Sequence, residues 1–531
     1  MDFRRMIMLY SDSYKQCHPL MYPDNQEYLV SYLTARKAMN ENFPKMVVYG
    51  IQPFIMDMQK GFEKFFYETI EQVMYEYDHY INTHLGLGNV ARDRIIELHN
   101  LGYLPVEIRA MPEGSVVNMG IPIVEMRNTH PRFAWVIQWL ECLLQTEVWP
   151  MCAYATVGWE YHKVAEKFYS KTAPGANPYM AMADFGFRGM SCLEDATRCS
   201  ASWLLSFDKT STIPALPYLD DYYFSNCAEN KIGIGAVSTE HSVMAANYAI
   251  DGDEITFVKR MLTEIYPNTS FSMVSDTYDY WNMVNNIIPA CKDEILAHNG
   301  KLLIRPDSGD MVAISIGTIQ KLWDVFGGTI NEAGYKVLDP HIGLIYGDGC
   351  TLNRVEQIYE SLEKLGFAST NVVFGVGAFC FHGLFDDNGK FWALTRDMWG
   401  MAMKATYGVF GDTKLFIYKD PKTDSGLKNS HKGCCRVWHD ETGYHCEDEL
   451  MDYVPEENTD LKVVFAPGHV IPADEFSRIN CACCKKLLAS CGVRNFDYLI
   501  VTCKNNLVLT CDCAASDCVD TDFVFGSLFT L

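Results

Sequence analysis

From about residue 178 the apolar positions fall into a repeating pattern. Short runs of apolar or small residues at 180–183, 232–237, 271–274, 302–304, 342–346 and 372–374 stop abruptly at glycine, charge or hydroxyl. A segment of helical spacing follows, and most repeats run roughly 30 to 40 residues, the length of a βα unit. Residues 351–365 show the helical half. Leu352, Val355, Ile358, Leu362 and Leu365 make one apolar stripe, Thr351 stands at the N-cap, Glu360 and Lys364 pair four apart, and Gly366 ends the helix. Repeated units of this kind predict a parallel barrel or a doubly wound sheet, with ligands at the carboxyl ends of the strands.

The first part of the chain is patterned differently. Residues 49–67 carry Ile51, Phe54, Ile55, Met58 and Phe62 at close to helical spacing. Runs at 106–109, 114–118 and 123–127, separated by Pro112-Glu113-Gly114 and by Met119-Gly120-Ile121-Pro122, predict a small antiparallel β unit. Residues 133–148 predict a buried helix. Further on, Asn388-Gly389 signals a hairpin turn, 414–420 a strand and 421–431 a polar loop.

Composition narrows the classes. The chain has 531 residues, 48% hydrophobic and 21% charged, which is the balance of a globular protein of several domains. Its net charge of −23 argues against broad binding to nucleic acid or to a membrane surface. No uninterrupted apolar run is long enough to span a bilayer or to serve as a secretory signal, so a cytoplasmic protein is expected. Of the 20 cysteines, eight crowd into the last 51 residues.

The chemistry gathers at the ends of the runs. They read Asp184-Phe185-Gly186-Phe187-Arg188-Gly189, Ser238-Thr239-Glu240-His241, Ser275-Asp276, Arg305-Pro306-Asp307-Ser308-Gly309, Gly347-Asp348-Gly349 and Gly375-Val376-Gly377-Ala378. Pro306 stops a strand, and Arg305 and Asp307 share one face of extended chain. A guanidinium suits a phosphate and an ionised carboxylate suits a pair of sugar hydroxyls. Taken alone, that pair would be an ordinary surface ion pair. Six such ends together point to a site for a phosphorylated sugar.

With Ser11-Asp12-Ser13-Tyr14-Lys15, residues 32–36, Val48-Tyr49-Gly50, Leu394-Thr395-Arg396-Asp397 and Phe476-Ser477-Arg478, these motifs resemble the nicotinamide phosphoribosyltransferase family over roughly residues 8–478. The resemblance implies an α/β fold: an irregular TIM-like βα barrel with an additional α+β N-terminal domain and a small Cys-rich C-terminal extension. The implied divisions are 1–150, 151–400, 401–478 and 479–531. It implies transfer of a 5-phosphoribosyl group from phosphoribosyl pyrophosphate to nicotinamide, giving the mononucleotide and pyrophosphate for NAD salvage. Mg²⁺ and ATP are implied with it, as is a homodimer with shared active sites.

Residue by residue, the resemblance implies that Phe185 and the partner's counterpart of Tyr14 enclose the base, and that Arg188 and Ser272 line the substrate pocket. Arg305 and Asp307 would hold phosphate and ribose. Gly347, Asp348, Gly377 and Ala378 would receive the 5-phosphate through backbone N–H groups. Arg36, Arg396 and Lys404 would face pyrophosphate. His241 would be phosphorylated by ATP, with Glu240 or Asp276 orienting its ring. A protein that binds the nucleotide without turnover is the contrary reading, and the presence of both His241 and Asp307 argues against it.

Three features depart from the family pattern. Ser211 occupies the place of an aspartate that accepts from the carboxamide, which weakens charge discrimination and leaves nicotinate as the alternative base. The glycine-rich turn is shortened to Gly375-Val376-Gly377-Ala378, and an insertion around Asn388-Gly389 follows it. The tail carries Cys481, Cys483, Cys484, Cys491, Cys503, Cys511, Cys513 and Cys518, close enough in sequence to raise Zn²⁺ binding, with strands at 507–510 and 523–531.

Overall fold

The computed structural model describes residues 4–38, 41–386, 388–423 and 428–467, with the backbone of three further strands, His469–Val470, Leu499–Cys503 and Asn506–Thr510. Two seven-stranded sheets dominate it. In the first, every pairing is parallel, in the order Lys209–Thr210, Met182–Asp184, Val372–Val376, Ile342–Tyr346, Leu302–Arg305, Phe271–Val274 and Val237–Ser238. Leu302, Ile304, Ile342, Leu344, Val372 and Phe374 are fully buried. Burial on both faces explains why these strands read as continuous apolar runs.

Two of the expected runs, 271–274 and 342–346, match strands end for end, and those at 302 and 372 extend one or two residues further. The 232–237 run contributes only Val237 to a strand. Lys209–Thr210 escaped prediction because two residues carry no period. Its backbone closes the sheet. Thr210 N–H donates to Ile234 C=O at 3.3 Å, and Ile234 N–H donates to Asp208 C=O at 2.8 Å. The stretch 234–238 thus bridges Lys209 of one edge strand and supplies the other, Val237–Ser238, which makes an irregular barrel of seven strands rather than eight.

The second sheet is antiparallel: Thr413–Phe416, Ala402–Phe410, Gln26–Thr34, Pro122–Asn128, Val106–Ala110, Lys462–Ala466 and His469–Val470. Only two of the three runs expected to form a self-contained β unit pair with each other. Val116–Asn118 pairs instead with Lys45–Val47, because the turns at Gly114 and Gly120, both at positive φ, swing it out of the sheet. The hairpin expected around Asn388-Gly389 forms between Gly383–Phe385 and Phe391–Ala393.

The buried helix expected over 133–148 runs on through Pro150 to Thr172. Proline removes one backbone donor, and burial of Met151, Cys152, Ala153, Ala155 and Val157 just beyond it outweighs that loss. This helix packs on the Gln26–Thr34 strand and on helix Leu193–Trp203, so it joins the two sheets. The expected division at 150 falls inside it.

The tail strand expected at 507–510 lies within Asn506–Thr510, paired with Leu499–Cys503. The Phe476-Ser477-Arg478 motif, the 523–531 strand and the side chains of the tail cysteines lie outside the described residues. Among the described residues no helix is long and apolar enough to cross a membrane.

Candidate active site

The carboxyl ends of the parallel strands carry one connected group of side chains. It starts at Asp184, which is buried and organises the loop after its strand. Its Oδ1 accepts from Gly186 N–H at 2.6 Å, and its Oδ2 accepts from the hydroxyls of Thr212 at 2.6 Å and Thr210 at 3.0 Å. Burial pushes this carboxyl up, and these hydrogen bonds oppose the shift. The loop so fixed holds Phe185, whose N–H donates to Val376 C=O at 2.8 Å. The ring lies over two glycines. A Cβ at Gly375 would stand 2.1 Å from Phe185 Cδ2, and one at Gly347 would stand 3.3 Å from that atom and 3.3 Å from Asp307 Oδ1. An aromatic face, a carboxylate and two bare backbone segments therefore meet at one point.

Arg305 and Asp307 lie beside it, 3.9 Å apart between Nη2 and Oδ2. Arg305 Nη2 donates to Thr239 C=O at 2.8 Å, while its Nε is buried with no hydrogen-bond partner. Asp276 Oδ2 accepts from Asp307 N–H at 3.0 Å and from the Ser308 hydroxyl at 2.5 Å; its Oδ1 is buried and unpartnered. His241 is the first residue of helix His241–Asp251. Its Nδ1 is 3.1 Å from Thr277 Oγ1, and its Nε2 is 3.9 Å from both Asp276 Oδ1 and Asp307 Oδ2. Neither of the two carboxylates expected to orient the ring hydrogen-bonds it: Asp276 Oδ1 stands 3.9 Å from Nε2, and Nδ1 meets Thr277. Glu240 is turned to the Ser242 hydroxyl instead. Ser272 is buried in its strand and donates to Ser238 Oγ at 2.6 Å.

The remaining barrel residues border this group. A Cβ at Gly189 would meet Ala378 Cβ at 2.5 Å, so the Phe185 loop abuts the Gly377-Ala378 turn. Arg188 and Asp348 are exposed. Ser211 follows the Lys209–Thr210 strand; its N–H donates to Asp184 C=O at 2.9 Å and its side chain is exposed. Sequence reasoning missed Arg354, an exposed cation whose Nη1 donates to Gly349 C=O at 3.2 Å. It also missed Thr210, Thr212 and Thr277. A threonine carries no signal of its own until the strand that positions it is known.

Tyr14, Arg36, Arg396 and Lys404 form a second group around the long helix. Glu141, nearly buried, accepts from Lys15 Nζ at 2.5 Å, Lys404 Nζ at 3.2 Å and Gln145 Nε2 at 2.9 Å. Burial alone would raise its carboxyl, but Lys404 and Lys15 hold it below the usual range. Arg396 Nη1 donates to Gln145 Oε1 at 3.2 Å. Arg36 Nε donates to Gly400 C=O at 2.7 Å. Tyr14 is 55% exposed, with the Lys15 ammonium 5.3 Å from its ring centre. Lys15 stood in the Ser11–Lys15 motif without a role, and Glu141 and Gln145 were not picked out from the sequence.

One arrangement can stack a flat heterocycle and bind a sugar phosphate; the other can bind a polyanion. The nicotinate phosphoribosyltransferase (NAPRTase) family matches residues 180–457, and the nicotinamide phosphoribosyltransferase N-terminal domain matches residues 6–108. A nicotinamide phosphoribosyltransferase of Acinetobacter baylyi is 35% identical over 497 residues, 88% of this chain and 95% of that protein. One of Mycoplasma pneumoniae is 30% identical over 448 residues, 78% and 92% of the two chains. The fold is shared with human nicotinic acid phosphoribosyltransferase (TM-score 0.53, 13% identity, 89% and 93% covered). It is shared also with a nicotinate-nucleotide pyrophosphorylase of Pyrococcus furiosus (TM-score 0.52, 14% identity, 92% and 96% covered).

Proposed function

Because this chain belongs to the nicotinamide phosphoribosyltransferases, within the wider nicotinate phosphoribosyltransferase family, we propose that it transfers the phosphoribosyl group of phosphoribosyl pyrophosphate to nicotinamide. The observation that carries the proposal is the meeting of Phe185, Asp307 and the bare backbone of Gly347 and Gly375 at one strand end. The base stacks on Phe185, its ring nitrogen facing C1 of the ribose. Asp307 accepts from the ribose hydroxyls, and Arg305, with a free buried Nε–H, binds phosphate. Gly347, Asp348, Gly377 and Ala378 offer backbone N–H groups to the 5-phosphate. The C–N bond forms as the C–O bond to pyrophosphate breaks, and positive charge on the sugar is met by fixed carboxylates.

The oxygen donors suit Mg²⁺. Asp276 Oδ1 is buried without a hydrogen-bond partner, and with Asp307 it would hold an ion that neutralises the leaving pyrophosphate. The remaining cations come from a second copy. Tyr14 is exposed, and a two-fold dimer would bring one copy's Tyr14, with Arg36, Arg396 and Lys404, to the other's Phe185. The twelve described cysteines are free, which suits a cytoplasmic enzyme.

ATP enters at His241. With Nδ1 held by Thr277, Nε2 is the nucleophile toward the γ-phosphorus; the Nε2–P bond forms, the P–O bond to ADP breaks, and the phosphohistidine is later hydrolysed. Acid-labile phosphate on the wild type after ATP treatment, absent from His241→Ala, is the expected result. Equal labelling of both overturns this step.

The founding test is formation of nicotinamide mononucleotide with release of pyrophosphate from the two substrates; no turnover overturns the whole reading. Ser211 favours a second reading for the base alone, since no carboxylate stands there to repel nicotinate. Ser211→Asp is expected to raise the nicotinamide-to-nicotinate ratio of kcat/KM by at least tenfold, about 1.4 kcal/mol. A wild type that prefers nicotinate replaces the first reading with the second.

A further inference from the structure

The hairpin of Cys434–Asp440 and Gly443–Leu450 takes no part in the chemistry above, yet it gathers metal-binding side chains. Its ladder is irregular between Cys434 and Arg436, and the residue in the irregularity is Cys435. A ring nitrogen of His431 and the Sγ atoms of Cys435 and Cys446 lie within 4.8 Å of one another. Asp448 stands next to this cluster, its Oδ2 3.2 Å from His431 Nδ1. Nε2 of the same ring lies 3.0 Å from Gly120 C=O. A carbonyl only accepts, so Nε2 carries a proton, and Nδ1 is the ring atom left to face Asp448. An acceptor facing a carboxylate oxygen is unfavourable unless a cation or a proton stands between them. A backbone carbonyl holding the far N–H is also how metal-ligating histidines are fixed.

We propose that His431, Cys435 Sγ and Cys446 Sγ hold one zinc ion, with the neighbouring Asp448 carboxylate turning in as the fourth donor. Two sulfurs, one nitrogen and one oxygen make a tetrahedral donor set that suits Zn²⁺ and is wrong for Mg²⁺ or Ca²⁺. Binding breaks two S–H bonds and forms two Zn–S bonds; both protons leave to solvent and no redox change occurs. Burial and the neighbouring Cys446 push the Cys435 thiol well above its ordinary range.

The position of the site gives the ion a task. Cys435 N–H donates to the Tyr32 hydroxyl at 2.9 Å, and that hydroxyl donates to Glu125 at 2.8 Å. Tyr32 stands opposite Lys404 in the antiparallel sheet. Three residues before His431, the carbonyl of Lys428 accepts from Arg36 Nη1 at 2.8 Å. Zinc would therefore pin residues 428–435 against Arg36, just past the Gln26–Thr34 strand, and against the neighbouring strand that carries Lys404, and so stiffen the cationic half of the active site. This task rests on the proposed function; the binding of the ion does not.

The test uses the full chain, purified under reducing conditions without an affinity tag that binds metal. Cys435→Ser/Cys446→Ser and His431→Asn are each expected to lose one zinc equivalent relative to wild type, with the tail cysteines intact in all three proteins. Cobalt in the wild type should give thiolate charge-transfer and tetrahedral d–d bands that both variants lack. Should the variants fold poorly, alkylation of the wild type decides. Half-buried Cys446 should be protected at saturating zinc and labelled after chelation. Unchanged zinc content in folded variants, or equal labelling of Cys446 with and without zinc, overturns the proposal.

Discussion

Gly375→Ala isolates the platform beneath the base. Gly375 pairs with Ala183 inside a regular parallel strand, so alanine meets no backbone obstacle. Its Cβ would stand 2.1 Å from Phe185 Cδ2 and 2.3 Å from Cε2, so the ring must swing away. Overpacking of this kind costs about 1–3 kcal/mol. Phe185 is half-buried, and the ring has solvent to move into, so the cost falls on stacking of the base rather than on the fold. That range corresponds to an increase of about 5- to 150-fold in KM for nicotinamide. KM for phosphoribosyl pyrophosphate should move much less. Initial rates with each substrate varied in turn, beside a melting curve, measure both. The double variant with Phe185→Ala supplies the control: once the ring is gone, the added methyl has nothing to displace, and the two effects must be strongly non-additive. Additive losses, or an equal rise in both KM values, would refute the stacking role of Phe185.

Other consequences are equally open to measurement. Glu141→Gln leaves Lys15, 4% exposed, without a charge partner and should cost about 3–5 kcal/mol of stability by denaturant titration. The Glu141 carboxyl is held below its ordinary value in the folded state, so its contribution is complete above the unfolded value of about 4.3 and is lost as pH falls through the lower folded value. The gap between wild type and variant should therefore shrink only in acid; a gap that is constant down to pH of about 3 refutes the pairing. Mixing Tyr14→Ala with Phe185→Ala chains, each nearly inactive, should restore about a quarter of wild-type activity, because half of the dimers are mixed and each mixed dimer has one intact site. No recovery after verified subunit exchange refutes the shared site.

The barrel was legible because its strands are buried on both faces and end in residues that strands do not tolerate. Phe271–Val274 and Ile342–Tyr346 stand out as apolar runs with hard stops. Those stops also mark where the candidate site sits, since a parallel strand delivers its carboxyl end to the ligand side of the sheet. Arg305, Asp307, Asp276 and His241 were found in this way, and the structure brings them within hydrogen-bond or ion-pair distance of one another. Glu240 was misjudged as a partner of His241. Adjacency in the chain does not say which way a helix N-cap turns its side chain, and this one turns to Ser242.

What the chain by itself determined were the short-range properties: the period of each element, its stop signals, and the motifs at the strand ends. These follow from dihedral preferences and burial patterns that act over a few residues. Only the tertiary structure decided that a two-residue strand at Lys209 closes the barrel against Ile234. It alone decided that Lys15 meets Glu141, 126 positions away, and that Arg36 meets Gly400, 364 positions away. It alone gathered His431, Cys435 and Cys446 around one point. Such contacts have no local signature, because the side chains that make them are chosen by how whole sheets and helices pack, and that packing depends on every part of the core at once.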